Sequence, residues 1–316
     1  MSERCSDDCP AVAHPLATFD AAWLNLRESA DRAARDSAAT TMTLDWTRLA
    51  GGSPARVIDL GCGTGATLRW LAPRLGGVQH WHLVDHDERL RDALPAAMAA
   101  WATKLGGDSA ARAWVTDTAE GDLHVQGTRF SATARFHRLD IAQQLAELPL
   151  ERGDLVCATA LLDLVSADWL ARLIRRARSA KAFLCLALTV DGRIEWSPAL
   201  EGDGLVGALF ERHQRRDKGF GPALGAAAET QTRRLLAEAG YRIVGDARSD
   251  WQLEGTHSVP LLTRLVEGMA TAAAEEDTTS APAIERWRMR RLHAMAHTRL
   301  LVGHVDLVAV PVEARA

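Results

Sequence analysis

The sequence predicts an α/β fold built on a doubly wound, mostly parallel sheet, and three observations carry that prediction. First, Val57, Ile58 and Leu60 form a short apolar run, the signature of a strand covered on both faces. Second, Gly61, Gly63 and Gly65 break the run, and Leu68, Leu71 and Leu75 then recur at helical spacing, so a strand, a tight turn and a helix follow without a gap. Third, short apolar runs keep alternating with helical segments from about residue 50 to residue 250.

Composition bounds the rest. A chain of 316 residues, 47% hydrophobic and 25% charged, has material for one large core with insertions. The expected division is a tail and helical cap over residues 1–50 and a main domain over 51–316, with a β-hairpin insertion at about 110–130 and a second insertion at about 191–225. A formal net charge of −4 gives no global attraction to nucleic acid or to an anionic membrane, so neither is expected as a partner. Cys5, Cys9, Cys62, Cys157 and Cys185 are odd in number and form neither a disulfide framework nor a paired metal spacing, and no metal is expected. The N-terminus lacks the apolar stretch of a signal peptide, no later stretch is apolar enough to span a bilayer, and the cytoplasm is the expected address.

The glycine turn suits two kinds of cofactor. Gly61, Gly63 and Ala66 satisfy a dinucleotide fingerprint, with Asp85 at about the expected distance beyond it. Asp59 argues against that choice, because a carboxylate two residues before the first glycine would face a pyrophosphate unfavourably and an ammonium favourably. S-adenosyl-L-methionine carries an amino-acid end and a sulfonium, which Asp59 and Gly65 suit better than NAD. The stretch VIDLGCGTG resembles motif I of the class I S-adenosylmethionine-dependent methyltransferases. The resemblance implies a Rossmann-like, seven-stranded sheet with an antiparallel last strand, and it covers most of residues 50–250 and the final strand. It also implies cofactor contacts by Asp59, Gly61, Gly63, Thr64, Gly65, Asp85, His86, Asp140, Ile141, Thr159 and Ala160.

In chain order, residues 1–15 read as a loose end. From Phe19 a helix places Phe19, Trp23, Leu26 and Ala30 on one stripe and Arg27, Asp31 and Arg35 on the next, and in related methyltransferases such a helix covers the cofactor pocket. A short helix over about 41–50 precedes the first strand. His80–Val84 is the second strand, Asp85 closes it where both ribose hydroxyls could be bound, and Asp87 is the N-cap of the next helix. WVTDTAEGDLHVQGT reads as a hairpin, ARFHRLD as the following strand, and Asp140 then either sits by the adenine, as the resemblance implies, or starts a helix marked by Ile141, Leu145 and Leu148.

ERGDLVCATALLDLV gives the fourth strand and puts Thr159, Ala160 and Asp163 beyond its carboxyl end, where open parallel sheets bind ligands. The stretch is neither NPPY nor DPPY and no Pro-Cys loop occurs, which removes support for DNA-base methylation. KAFLCLALTV is the fifth strand; the irregular, aromatic and basic segment from Asp191 to Gly225 then reads as the acceptor-recognition element, with Gly219, Gly221 and Gly225 letting it fold over the site. A helix and a sixth strand at Tyr241, two further helices and a last strand at about Leu300–Val310 complete the chain.

The expected function is methyl transfer to a small-molecule acceptor by in-line displacement, with His213 and Asp163 as candidate groups for removing an acceptor proton. A noncatalytic adenosylmethionine-binding regulator and an NAD-dependent oxidoreductase are the alternatives, and the oligomeric state is open.

Overall fold

Every residue of the first strand except the half-buried Arg56 is buried, and the sheet grows on both sides of it. The computed structural model describes residues 20–49, 54–104, 111–115 and 121–312. β1 (Ala55–Leu60) pairs in parallel with β2 (Gly77–Asp85) on one side and β6 (Leu155–Thr159) on the other. β5 (Phe130–Arg138) extends the sheet beyond β2, and β7 (Phe183–Ser197) extends it beyond β6, both in parallel. β10 (Arg299–Pro311) then lies antiparallel between β7 and β8 (Tyr241–Arg248), as expected for the last strand. The seven central strands therefore run β5-β2-β1-β6-β7-β10-β8.

Three short strands enlarge the sheet to ten among the described residues. β3 (Ala111–Val115) and β4 (Leu123–Gly127) form an antiparallel hairpin added outside β5, and β9 (Trp251–Glu254) pairs with β10. The expected hairpin is thus present, with residues 116–120 of its connection outside the described residues.

Alternation along β1 divides the core. Val57 packs with α2 (Ala66–Leu75) and α3 (Glu88–Lys104), whereas Ile58 and Leu60 face the cluster formed by α4 (Ala167–Ser179) and α6 (Ala228–Glu238). A third cluster lies beyond the sheet ends, where α5 (Asp203–Gln214), α7 (Val259–Glu276) and α8 (Ala281–His293) pack with β9, β10 and Trp23 of α1 (Ala21–Met42). Burying a large aliphatic or aromatic side chain stabilises by roughly 1.5–3 kcal/mol, so Trp169, Trp287 and Leu162, each essentially without solvent exposure, anchor the second and third clusters.

Three expectations change. The helix before β1 shrinks to a single 3-10 turn at Trp46–Arg48, because α1 itself runs on to Met42. After Asp140 only a turn and the 3-10 segment Leu145–Glu147 form. The segment from Asp191 to Gly225 is not irregular throughout: β7 continues to Ser197 against β10, and α5 follows. Its remainder, between α5 and α6, does fold back, with Leu224 and Gly225 donating backbone hydrogen bonds to the carbonyls of Val165 and Asp163.

Candidate functional site

The chain reverses direction across the sheet between β1 and β6, and a cleft opens beyond their carboxyl ends. Its walls bring together Gly61, Gly63, Thr64, Asp85, His86, Asp140, Ile141, Thr159 and Ala160, nine residues that the sequence assigned to one site. Such a switch point is where open α/β sheets place ligands.

The glycine turn is tied to the neighbouring strand. Asp85 accepts a hydrogen bond from the Gly63 amide through Oδ2 (3.0 Å) and from the Asp87 amide through Oδ1 (3.1 Å). Each oxygen keeps acceptor capacity, since a carboxylate oxygen has two lone-pair sites. Asp87 caps α3 by accepting from the Arg89 amide at 2.9 Å, which frees Asp85 from that task. His86 lies alongside, Nδ1 3.5 Å from Asp85 and Nε2 without a hydrogen-bond partner among the described residues. Thr67, in the first turn of α2, donates to the Thr159 hydroxyl at 3.1 Å and joins the two sides of the switch point.

Two expected contacts lie elsewhere. Asp59 is 1% exposed and lines neither cavity, because its side chain points with Val57 to the lower face of the sheet. Neither of its oxygens has a direct hydrogen bond, and burial pushes its carboxyl up to about 7 despite the nearby Thr67 hydroxyl and the Arg35 and Arg69 charges. Gly65 also stands outside the cleft. Its φ is +80°, and a side chain there would run into Met98 and Leu94, so this glycine lets α2 and α3 approach.

Sequence reasoning missed what covers the cleft in detail. Leu24, Arg27 and Asp31 of α1 line it from above, and Lys218 and Phe220 reach it from the loop after α5. α1 is pinned there by polar links: Glu28 accepts from Arg69 Nε at 2.7 Å, and Asp36 accepts from the Trp70 indole at 2.9 Å. The stripe of Arg27, Asp31 and Arg35 was visible in the sequence; its docking against residues far along the chain was not.

A second cavity of about 760 Å³ adjoins the first, and Arg27, Ala160, Leu164 and Lys218 belong to both. Ala160 is held at φ +52°, a left-handed conformation costly for a residue with a side chain, and its amide donates to the Ala187 carbonyl at 2.9 Å. Asp163 and His213 line this second cavity. Burial pushes the Asp163 carboxyl up, opposed by Arg27 and Lys218. His213 Nε2 meets Glu275 at 3.0 Å. Burial also lowers the Lys218 ammonium from its ordinary value.

No protein-family model and no curated protein matches the chain. Solved structures similar to it include a cyclopropane synthase from Mycobacterium tuberculosis, 13% identical, covering 86% of this chain and 83% of that one with a TM-score of 0.42. Another is a cyclopropane-fatty-acyl-phospholipid synthase-like protein from Lactobacillus casei, 14% identical over 92% of this chain and 96% of that one, TM-score 0.43. A third is magnesium protoporphyrin IX methyltransferase from Synechocystis with bound SAH, 15% identical over 94% and 90%, TM-score 0.42. Among the described residues no helix is long and apolar enough to cross a membrane. The order of the seven central strands, the antiparallel strand between the fifth and the sixth, and the glycine turn at the switch point give this chain the Rossmann-like fold of the class I S-adenosylmethionine-dependent methyltransferases.

Proposed function

We propose that the chain transfers a methyl group from S-adenosylmethionine to a small-molecule acceptor seated in the second cavity. The observation that carries this reading is the junction of the two cavities, where a cleft walled by the glycine turn, Asp85 and Ile141 meets a larger apolar space at Ala160 and Leu164.

The residues of the cleft fit the cofactor part by part. Asp85 retains one lone-pair site on each oxygen for the two ribose hydroxyls. Leu139, Ile141 and Leu161 offer apolar walls for a purine, and Asp140 stands beside them as an acceptor for its amine. Asp59 acts from beneath the turn through its field rather than by contact, favouring an ammonium and a sulfonium over a pyrophosphate. When bound, S-adenosylmethionine supplies a methyl group already activated on sulfur.

The chain's own task is to align an acceptor and exclude water. Leu24 and Phe220 close the cleft from two sides. Asp163 faces the junction with a raised proton affinity and is placed to take a proton from an acceptor. His213 is the other candidate, with Glu275 on Nε2 fixing the ring so that Nδ1 is the nitrogen left to act.

The test is ligand-dependent stability. S-adenosylhomocysteine at about 100 times its Kd should stabilise the protein by about 2.7 kcal/mol, with no gain from NAD or NADP. Stabilisation by NAD alone, or none by S-adenosylhomocysteine, would overturn the reading.

A further inference from the structure

The second cavity is built differently from the first. Gly204 and Gly207 sit inside α5 three residues apart, both line the cavity, and a side chain built at either position meets nothing within 4 Å. Gly204 lies in the first turn of α5, and at Gly207, in the helix interior, glycine is destabilising. Here it avoids no collision; its effect is to leave space.

The opposite walls are flat and held still. Trp196 is backed by Arg291, whose guanidinium lies 4.4 Å from its ring centroid, and by the edge of Trp287 at 6.2 Å. Trp251 donates its indole N–H to Asp31 at 3.0 Å, carries Arg27 5.0 Å from its ring centroid, and packs against His304 at 5.3 Å. The indole of Trp196, fixed from behind, presents a ready-made face for stacking, whereas Trp251 meets the cavity beneath Arg27 and His304, which line it too. Faces fixed in place favour a rigid ring over a flexible acyl chain, which would lose more conformational freedom on binding.

His304 reaches this cavity from β10 and is 4% exposed, beside the apolar Leu300 and Val302, while the charged side chains Asp163, Glu211 and Lys218 line the cavity from the α5 side and the junction with the cleft. We propose that this chamber takes an acceptor with a rigid, ring-containing apolar body that carries one hydrogen-bond donor, a hydroxyl or N–H, read by His304. Calling the occupant an acceptor rests on the methyltransferase reading; its chemistry follows from the chamber. Burial and the charge of Arg27 lower the His304 imidazole to about 4, against Asp191 and Asp250, so the ring is neutral near pH 7. A neutral imidazole keeps one nitrogen as an acceptor.

The experiment uses the full chain and three probes: 1-hydroxypyrene, its isostere 1-methylpyrene, and 1-dodecanol as a competitor. Binding is read by energy transfer from tryptophan to pyrene, and S-adenosylhomocysteine binding is measured separately by calorimetry. 1-Hydroxypyrene should bind about 2- to 12-fold more tightly than 1-methylpyrene, the range of one net hydrogen bond, and 1-dodecanol should not displace it at equal concentration. Gly207→Leu adds a helix-forming side chain to open space, so the protein should fold while binding 1-hydroxypyrene at least about 10-fold more weakly and S-adenosylhomocysteine as before. His304→Phe should erase the preference for the hydroxyl.

Equal binding of the two pyrenes by the unaltered protein would overturn the role of His304, whatever the variant does. Displacement by dodecanol would overturn the ring-bearing class, and full binding to Gly207→Leu would overturn the location. Pyrene binding without S-adenosylhomocysteine binding would sink the methyltransferase reading and leave the chamber standing; the reverse result would sink the chamber.

Discussion

Asp59→Asn should make the protein more stable in mildly alkaline solution while weakening its hold on a cationic cofactor. The native carboxyl is fully buried, without a direct hydrogen bond, and is raised from 3.8 to about 7. Between those two values the unfolded chain has released the proton and the folded chain has kept it, so stability falls as pH rises through this window. At 1.36 kcal/mol per pH unit the full loss is roughly 4 kcal/mol above pH 7. Asparagine has nearly the same shape and no charge to desolvate, so the variant should recover much of that loss at pH 8 and little of it near pH 4. Urea unfolding at pH 4.5, 6 and 8 measures the difference, and calorimetry with S-adenosylmethionine measures the functional side. A variant destabilised equally at all three pH values would refute the reasoning, since it would mean that the charge is compensated in the native protein.

Two other substitutions test the remaining assignments. Asp85→Ala removes a carboxylate placed for the ribose, and at roughly 1.5–3 kcal/mol for hydrogen bonds to a charged group it should weaken S-adenosylhomocysteine binding by about 10- to 150-fold; unchanged affinity in a folded variant would reduce Asp85 to a tie between the Gly63 and Asp87 amides. His213→Ala should leave cofactor affinity intact and lower transfer of labelled methyl to acceptors in a metabolite extract by roughly 10²- to 10⁴-fold; wild-type transfer would leave His213 only its contact with Glu275.

Much of the cleft was legible in the sequence because its parts are local. A strand, three glycines and a helix within 21 residues leave little freedom in where Gly61 and Gly63 can stand, and Asp85 is fixed by ending the next strand. For Asp59 the resemblance implied a cofactor contact, whereas the period of two along β1 sends its side chain to the face of Val57, outside the cleft. The segment after Val190 read as irregular because Asp191, Gly192 and Arg193 interrupt the apolar run; β7 nonetheless continues, its outer residues Ile194–Ser197 held by pairing with a partner about a hundred positions away. For the same reason Trp251 and His304 gave no sign of sharing a cavity with α5. Only the tertiary pairing of β10 brings them there.

That pairing also dictates an order of events while the chain is being made. Among the described residues β8 and β9 have no sheet partner other than β10, and the outer half of β7 leans on it too. A ribosome that has just released Tyr241–Glu254 has therefore produced two strands with nothing to pair with, and they must wait for the 44 residues, 255–298, of α7, α8 and the connecting turns. Unpaired strand edges recruit other chains, and distant pairings are slow to close. The nascent protein is thus most exposed to aggregation in that interval. Synonymous changes that slow translation between codons 255 and 298 should lower soluble yield, whereas the same kind of changes between codons 21 and 54, before β1 is made, should not.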